Sequence, residues 1–88
     1  MINLISPINQ LGYGVVGTNI AKSLSKFTEL SLWVIGQPQV VTKEDLEILS
    51  SLINNAKFFD INATCIKIWH QHDMAQFVGK GKRIGYLS

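Results

Sequence analysis

The sequence predicts an α/β fold, a small Rossmann-like layered domain with a parallel sheet of three to four strands and two to three helices. Three observations carry that expectation. Short apolar runs alternate with segments of helical period, in the order β-α-β-α-β-α-β. Strands separated by helices take crossover connections, and those make a parallel sheet. A glycine-rich stretch follows the first strand, where open α/β folds bring backbone close to a ligand. With 88 residues the chain has room for one domain, residues 1–88.

Taken in order, Ile2 to Ser6 reads as the first strand and Pro7 stops it. A loop from Ile8 to Gly12 leads into Gly12-Tyr13-Gly14-Val15-Val16-Gly17. From about Gly14 to Phe27 the residues Val16, Ile20, Ala21, Leu24 and Phe27 mark one face of an amphipathic helix. Leu30 to Ile35 is a second strand, continuous enough in apolar character to be covered on both faces. Thr42 has the position of a helix N-cap, with Asp45 three residues on to close a capping box and Glu44 and Glu47 at the positive helix end. Leu46, Leu49, Ile53 and Ala56, with Ile48 and Leu52 alongside, form that helix's apolar face. Ala63 to Trp69 is a third strand, His72 to Val78 a short helix, and Arg83 to Leu87 a fourth short strand.

Apolar residues make up 47% of the chain and charged ones 16%, against about 25% charged in an average domain. That is enough apolar content for a core, and the excess points to surface buried against a second domain or another copy. The formal charge of +2 is too small to imply nucleic acid. Lys80, Lys82 and Arg83 cluster as a solvated loop. Cys65 is the single cysteine, so an intrachain disulfide is excluded, and its apolar neighbours predict a buried, inert thiol. No run approaches 18 apolar residues, so no membrane span is expected, and the first residues lack the basic start of a signal peptide. The expected location is cytoplasmic.

Gly12-x-Gly14-x-x-Gly17 has the spacing of the dinucleotide fingerprint. Glycine permits a tight turn and close approach of a diphosphate, and the following helix offers N–H groups and partial positive charge. Two details argue against NAD. Five residues, Pro7 to Leu11, separate the strand from the glycines, and the second strand ends Trp33-Val34-Ile35-Gly36-Gln37 without the carboxylate that would hold a ribose. The glycines either serve tight packing alone or approach a phosphate or sugar.

Ser6-Pro7, the spacer, Gly12-Tyr13-Gly14, the helix with Asn19-Ile20-Ala21-Lys22-Ser23-Leu24 and the strand Leu32-Trp33-Val34-Ile35 resemble the start of the N-terminal, acceptor-side domain of GT-B-fold glycosyltransferases. Ile68-Trp69-His70-Gln71-His72-Asp73 and Arg83-Ile84-Gly85-Tyr86 are similar to that domain's next strand and loop. The resemblance implies that Gly12, Tyr13 and Gly14 line a cleft for a sugar nucleotide and acceptor, with His70 or His72 at a strand's carboxyl end near it; Gly17 joins them as a candidate binding residue. The two histidines are candidate catalytic residues, read either as a general base or sugar-hydroxyl partner or as polar loop residues before the next helix. Such enzymes carry their donor-binding residues in a second domain, and the chain reaches only Ser88. Transfer by this polypeptide alone is therefore not expected, and a nucleotide-sugar donor is expected only in a full-length relative. The alternatives are a stand-alone phosphate- or nucleotide-binding module and a self-assembling interaction protein.

His70, His72 and Asp73 have too few ligands for a zinc site, and no metal is expected. Ser6, Ser23, Ser25, Ser31, Ser50, Ser51 and Ser88 lack a nucleophile elbow. Trp33, Trp69, Phe58 and Phe59 read as packing residues, whereas Tyr13, between two glycines, reads as a ligand or partner contact. Exposed edges on a small sheet and few helices to cover it predict a homo-oligomer, most simply a two-fold dimer, or a missing second domain.

Overall fold

The computed structural model describes residues 1–68 and 77–86. Strand β1 (Ile2–Ser6) leads to helix α1 (Gly12–Leu24) and strand β2 (Leu30–Val34). Helix α2 (Lys43–Asn54) runs on into a 3-10 turn (Asn55–Phe58), followed by β3 (Thr64–Ile68) and β4 (Arg83–Tyr86). The four strands form one sheet in the order β2-β1-β3-β4, and every neighbouring pair is parallel. This is the small Rossmann-like α/β layer that the alternation of elements predicts.

The register sorts the side chains into two unlike faces. Leu4 stands opposite both Leu32 and Ile66, and Ile2 opposite Leu30. Because side chains alternate along a strand, these residues and Ile68 share one face. Leu4, Leu30, Leu32 and Ile68 there join Ala21 of α1 and Leu49 and Leu52 of α2 in a single buried cluster. Lys22 Nζ and Asp45 Oδ1, 2.8 Å apart, tie the two helices together at the surface. The hydrogen bond and charge of Asp45 hold the Lys22 ammonium above its ordinary pKa.

The opposite face carries Asn3, Ser31, Cys65 and Lys67, all buried. The sequence reading expects β2 to be apolar on both faces, and here the structure differs. The Ser31 hydroxyl donates to Asn3 Oδ1 (2.7 Å) and accepts from Trp33 Nε1 (3.0 Å), while Asn3 Nδ2 donates to the Asp60 carbonyl (3.1 Å). A buried polar group without a partner costs about 1–3 kcal/mol, and among the described residues no buried side-chain nitrogen or oxygen lacks one. Trp33 also meets Phe59 edge to face, with ring centroids 5.3 Å apart.

Helix boundaries differ from the sequence reading where local bonding decides them. Helix α1 stops at Leu24: Lys26 N–H bonds to the Ser23 carbonyl and Phe27 N–H to that of Leu24, and the Ser25 hydroxyl turns back to the Lys22 carbonyl. Phe27 thus lies past the helix and is 85% exposed, not part of its apolar face. Thr42 caps α2 as expected, its hydroxyl accepting from Asp45 N–H at 3.1 Å. The Asp45 carboxylate turns to Lys22 instead of completing a capping box. Leu46 and Ile53 are exposed while Leu49 and Leu52 are buried, so the buried stripe of α2 is narrower than its apolar pattern. Phe58 is 78% exposed, contrary to its reading as a packing residue, and Phe59 takes that role alone.

The short helix expected from His72 lies mostly outside the described residues, and its last two, Phe77 and Val78, are not helical. The carboxyl end of β4 is described to Tyr86, and Leu87 lies outside. No helix among the described residues is long and apolar enough to cross a membrane.

Candidate functional site

Strand β1 is central, with β2 on one side and β3 on the other. The connection leaving β1 runs to β2 on one side and the one leaving β3 runs to β4 on the other, so the two diverge at the sheet's carboxyl end, the place where open α/β sheets bind ligands. Residues 7–11 cross that end and deliver the chain to α1. Gly12 is the first residue of α1, so the glycine-rich stretch is the opening of a helix and not a loop.

The three glycines have different surroundings. A side-chain carbon at Gly17 would run into Ser6 Oγ and lie 2.8 Å from the Pro7 carbonyl oxygen, so Gly17 lets α1 press directly on the end of β1. At Gly14 it would collide with the Asn9 side chain, whose Oδ1 accepts from Leu11 N–H at 2.9 Å. At Gly12 nothing lies within 4 Å. Gly14 and Gly17 are thus explained by contacts inside the chain, whereas a side chain at Gly12 would meet none. Tyr13 is half-buried and packs against the core cluster, so it is not the outlying aromatic that two flanking glycines suggest.

Pro7, Asn9, Leu11, Gly12, Tyr13 and Gly14 line a shallow cavity of about 230 Å³. A smaller one of about 120 Å³ adjoins it through Asn9 and includes Thr18, Asn19 and Asp45. Sites for whole cofactors usually enclose about 300–1,000 Å³. The first cavity is therefore large enough for a phosphate or diphosphate and too small for a complete sugar nucleotide. Its electrostatics suit an anion: the first turn of α1 contains no acidic residue, and Leu11 at the N-cap supplies no side-chain cap. The first N–H groups of a helix lack intrahelical partners and carry the positive end of its dipole.

His70, His72 and Asp73 lie outside the described residues, as does Trp69. Among the described residues, no three His, Cys, Asp or Glu stand together as a metal site. Lys80, Lys82 and Arg83 are exposed on the loop before β4 and at its start. That loop is fastened: Lys80 N–H donates to the Ile61 carbonyl (2.6 Å), and Gly79 has φ +78°, a conformation glycine tolerates best. The Arg83 guanidinium turns back to the Gly79 carbonyl (3.4 Å) and lies 5.9 Å from the centre of the Phe77 ring. Ser6 and Asn9 shape the glycine-rich turn from below; Ser6 opens the motif of the resemblance, while Asn9 belongs to no motif. The signal available in the sequence was their place between a strand end and a helix start.

Cys65 is fully buried on the polar face and accepts from Val78 N–H at 3.4 Å. Burial raises its pKa above the ordinary 9.0, outweighing that hydrogen bond and the charges of Arg83 and Lys67. The folded state then holds the thiol proton more tightly than the unfolded chain, so stability falls as pH rises past 9.0. Urea unfolding at neutral pH and near pH 10 should show a larger loss for the native chain than for Cys65→Ala. Equal losses would remove the thiol from the alkaline transition.

Comparison with protein-family models, with curated proteins and with solved structures finds no match to this chain. The functional reading therefore rests on the residues and their geometry.

Proposed function

We propose that the amino end of α1 binds the phosphate or diphosphate of a small ligand, in a glycosyltransferase-like acceptor-side domain that performs no transfer alone. The observation that supports this best is the open Gly12 at an uncapped helix start, beside a cavity of about 230 Å³ at the divergence of two crossovers. Backbone N–H groups and the helix dipole recognise the anion. Asn9 shares the site, because its side chain already holds Leu11 N–H and covers Gly14. The sugar and base of a sugar nucleotide exceed the cavity and need surface supplied elsewhere, by a second domain in a longer relative. A cytoplasmic location accords with this reading.

A second reading is self-association as a two-fold dimer, favoured by large apolar side chains left on the surface, Phe27 and Phe58 foremost.

The first reading is tested by titrating the chain with inorganic phosphate, UDP, GDP and UDP-sugars while following the backbone amides of Gly12, Tyr13 and Gly14 by NMR. Gly12→Val is the control, since a side chain there meets nothing in the protein and stands in the ligand's approach. Saturable shifts with the diphosphates are expected in the native chain, and their loss in a variant that melts normally. Absence of saturation, or equal shifts in the variant, overturns the proposal.

A further inference from the structure

The smaller cavity beside the glycine-rich turn is lined by polar groups from three segments. Asn9 and Gln10 come from the loop after β1, Thr18 and Asn19 from α1, and Asp45 from the first turn of α2. Much of their hydrogen-bonding capacity is uncommitted. Asn9 spends Oδ1 on Leu11 N–H, which leaves its Nδ2. Thr18 donates to the Gly14 carbonyl at 2.8 Å, so its oxygen can still accept. The side-chain amides of Gln10 and Asn19 bond to no described residue. Asp45 serves the Thr42 cap through its backbone N–H, and Lys22 Nζ meets only Oδ1, so Oδ2 remains. The Asp45 side chain is nonetheless only 22% exposed.

We infer that this cavity holds a pair of neighbouring hydroxyls on the pentose of a phosphorylated ligand, with Asp45 as their acceptor. The inference rests on the phosphate reading and names the next part of the same ligand, because Asn9 lines both cavities. One carboxylate, half engaged by a lysine, is a poor cation site, since hard cations take several oxygen ligands. A free carboxylate oxygen among amides instead accepts from hydroxyl groups, and the amides donate back to them. Dinucleotide sites hold a ribose with an acidic side chain in the same way. There the acid belongs to the end of the second strand, where this chain has Val34, Ile35 and Gly36; Asp45 brings a carboxylate from α2 instead. Val15, 41% exposed, adds an apolar wall for the carbon edge of the ring. At about 120 Å³ the cavity falls well below the roughly 300 Å³ at which whole-ligand pockets begin, so a base or further sugar projects beyond it.

The test is calorimetric titration of the full chain with inorganic phosphate, with ribose phosphate against deoxyribose phosphate, and with UDP against dUDP. Removing one hydroxyl of the pair should weaken binding about tenfold or more, the effect of losing a hydrogen bond to a charged group. The pair of probes that shows this preference tells a simple sugar phosphate from a nucleotide. Asp45→Asn should bring the two forms to within about twofold of each other while inorganic phosphate binds as before. Lys22→Met breaks the same ion pair but keeps the carboxylate, so the preference should persist in it. Equal binding of both forms to the native chain, a preference that survives Asp45→Asn, or its loss in Lys22→Met as well, overturns the role of Asp45. The phosphate reading stands in each of those cases. Failure of inorganic phosphate and of every other probe to saturate overturns both.

Discussion

Gly17→Val is expected to lower the stability of the fold by about 3 kcal/mol, with Gly12→Val close to neutral by comparison. The added carbons at position 17 meet Ser6 Oγ, Ser6 Cβ at 2.9 Å and the Pro7 carbonyl, all belonging to the strand end that α1 rests on. Backbone cannot step aside as a flexible side chain can, so α1 must lift from β1. Replacing a helical glycine gains up to about 1 kcal/mol in helix propensity, which offsets part of the clash but not most of it. Gly17→Ala should therefore lose less than Gly17→Val and still fall below Gly12→Ala, which gains propensity and meets nothing. Urea unfolding of the four variants measures the series. Equal stability at positions 12 and 17 would mean that helix and strand are not in the close contact described. An 88-residue domain has roughly 4–13 kcal/mol in total, so the loss at position 17 is a large share.

Asn3→Asp, a change of one group with almost no change of shape, should cost about 3 kcal/mol or more at neutral pH. Asn3 is fully buried and its amide donates to the Asp60 carbonyl, where a carboxylate would place oxygen against oxygen. A buried charge that keeps only the Ser31 hydroxyl as donor and faces a carbonyl oxygen is among the costliest single changes. Protonation removes the charge and supplies an O–H that can donate to the same carbonyl. The new carboxyl is thus held above the ordinary value of about 3.9, and the folded state binds its proton more tightly than the unfolded one. Stability of the variant relative to the native chain should then improve as pH falls toward 4 and worsen as pH rises through the raised folded-state pKa. Urea unfolding at the two pH values decides it. A deficit that does not change with pH would show that the cost is lost packing rather than buried charge.

The strands were legible because their boundaries are local: Pro7 ends β1, and Gly36 follows β2. Thr42 was legible as a cap for the same reason. The start of α1 was legible as about Gly14, and its exact place at Gly12 was not. Glycine is a poor helix former and Leu11 offers no capping oxygen, so nothing in residues 11–14 announces a helix. Its position is set by Gly17 against Ser6, a contact between segments that local pattern does not encode. The Asn3–Ser31 pair was hidden in the same way. Ile-Asn-Leu and Leu-Ser-Leu each look like interrupted apolar strands, and only the parallel register puts the two polar residues side by side. Of the candidate site, the end of the sheet could be read from the order of elements, whereas the separate roles of the three glycines could not.

The central position of β1 also governs how the chain can reach this fold. Strand β1 is made before both of its neighbours, β2 and β3, and its partner across the second ladder, Thr64 opposite Ile2, lies far along the chain. Contacts of such high sequence separation are slow to close and reward the chain only after long loops have been ordered. Until Ile68 has left the ribosome, one edge of β1 stays open, with Leu4 and Ile5 beside it. The nascent chain is therefore prone to aggregation while β1 waits for its second neighbour.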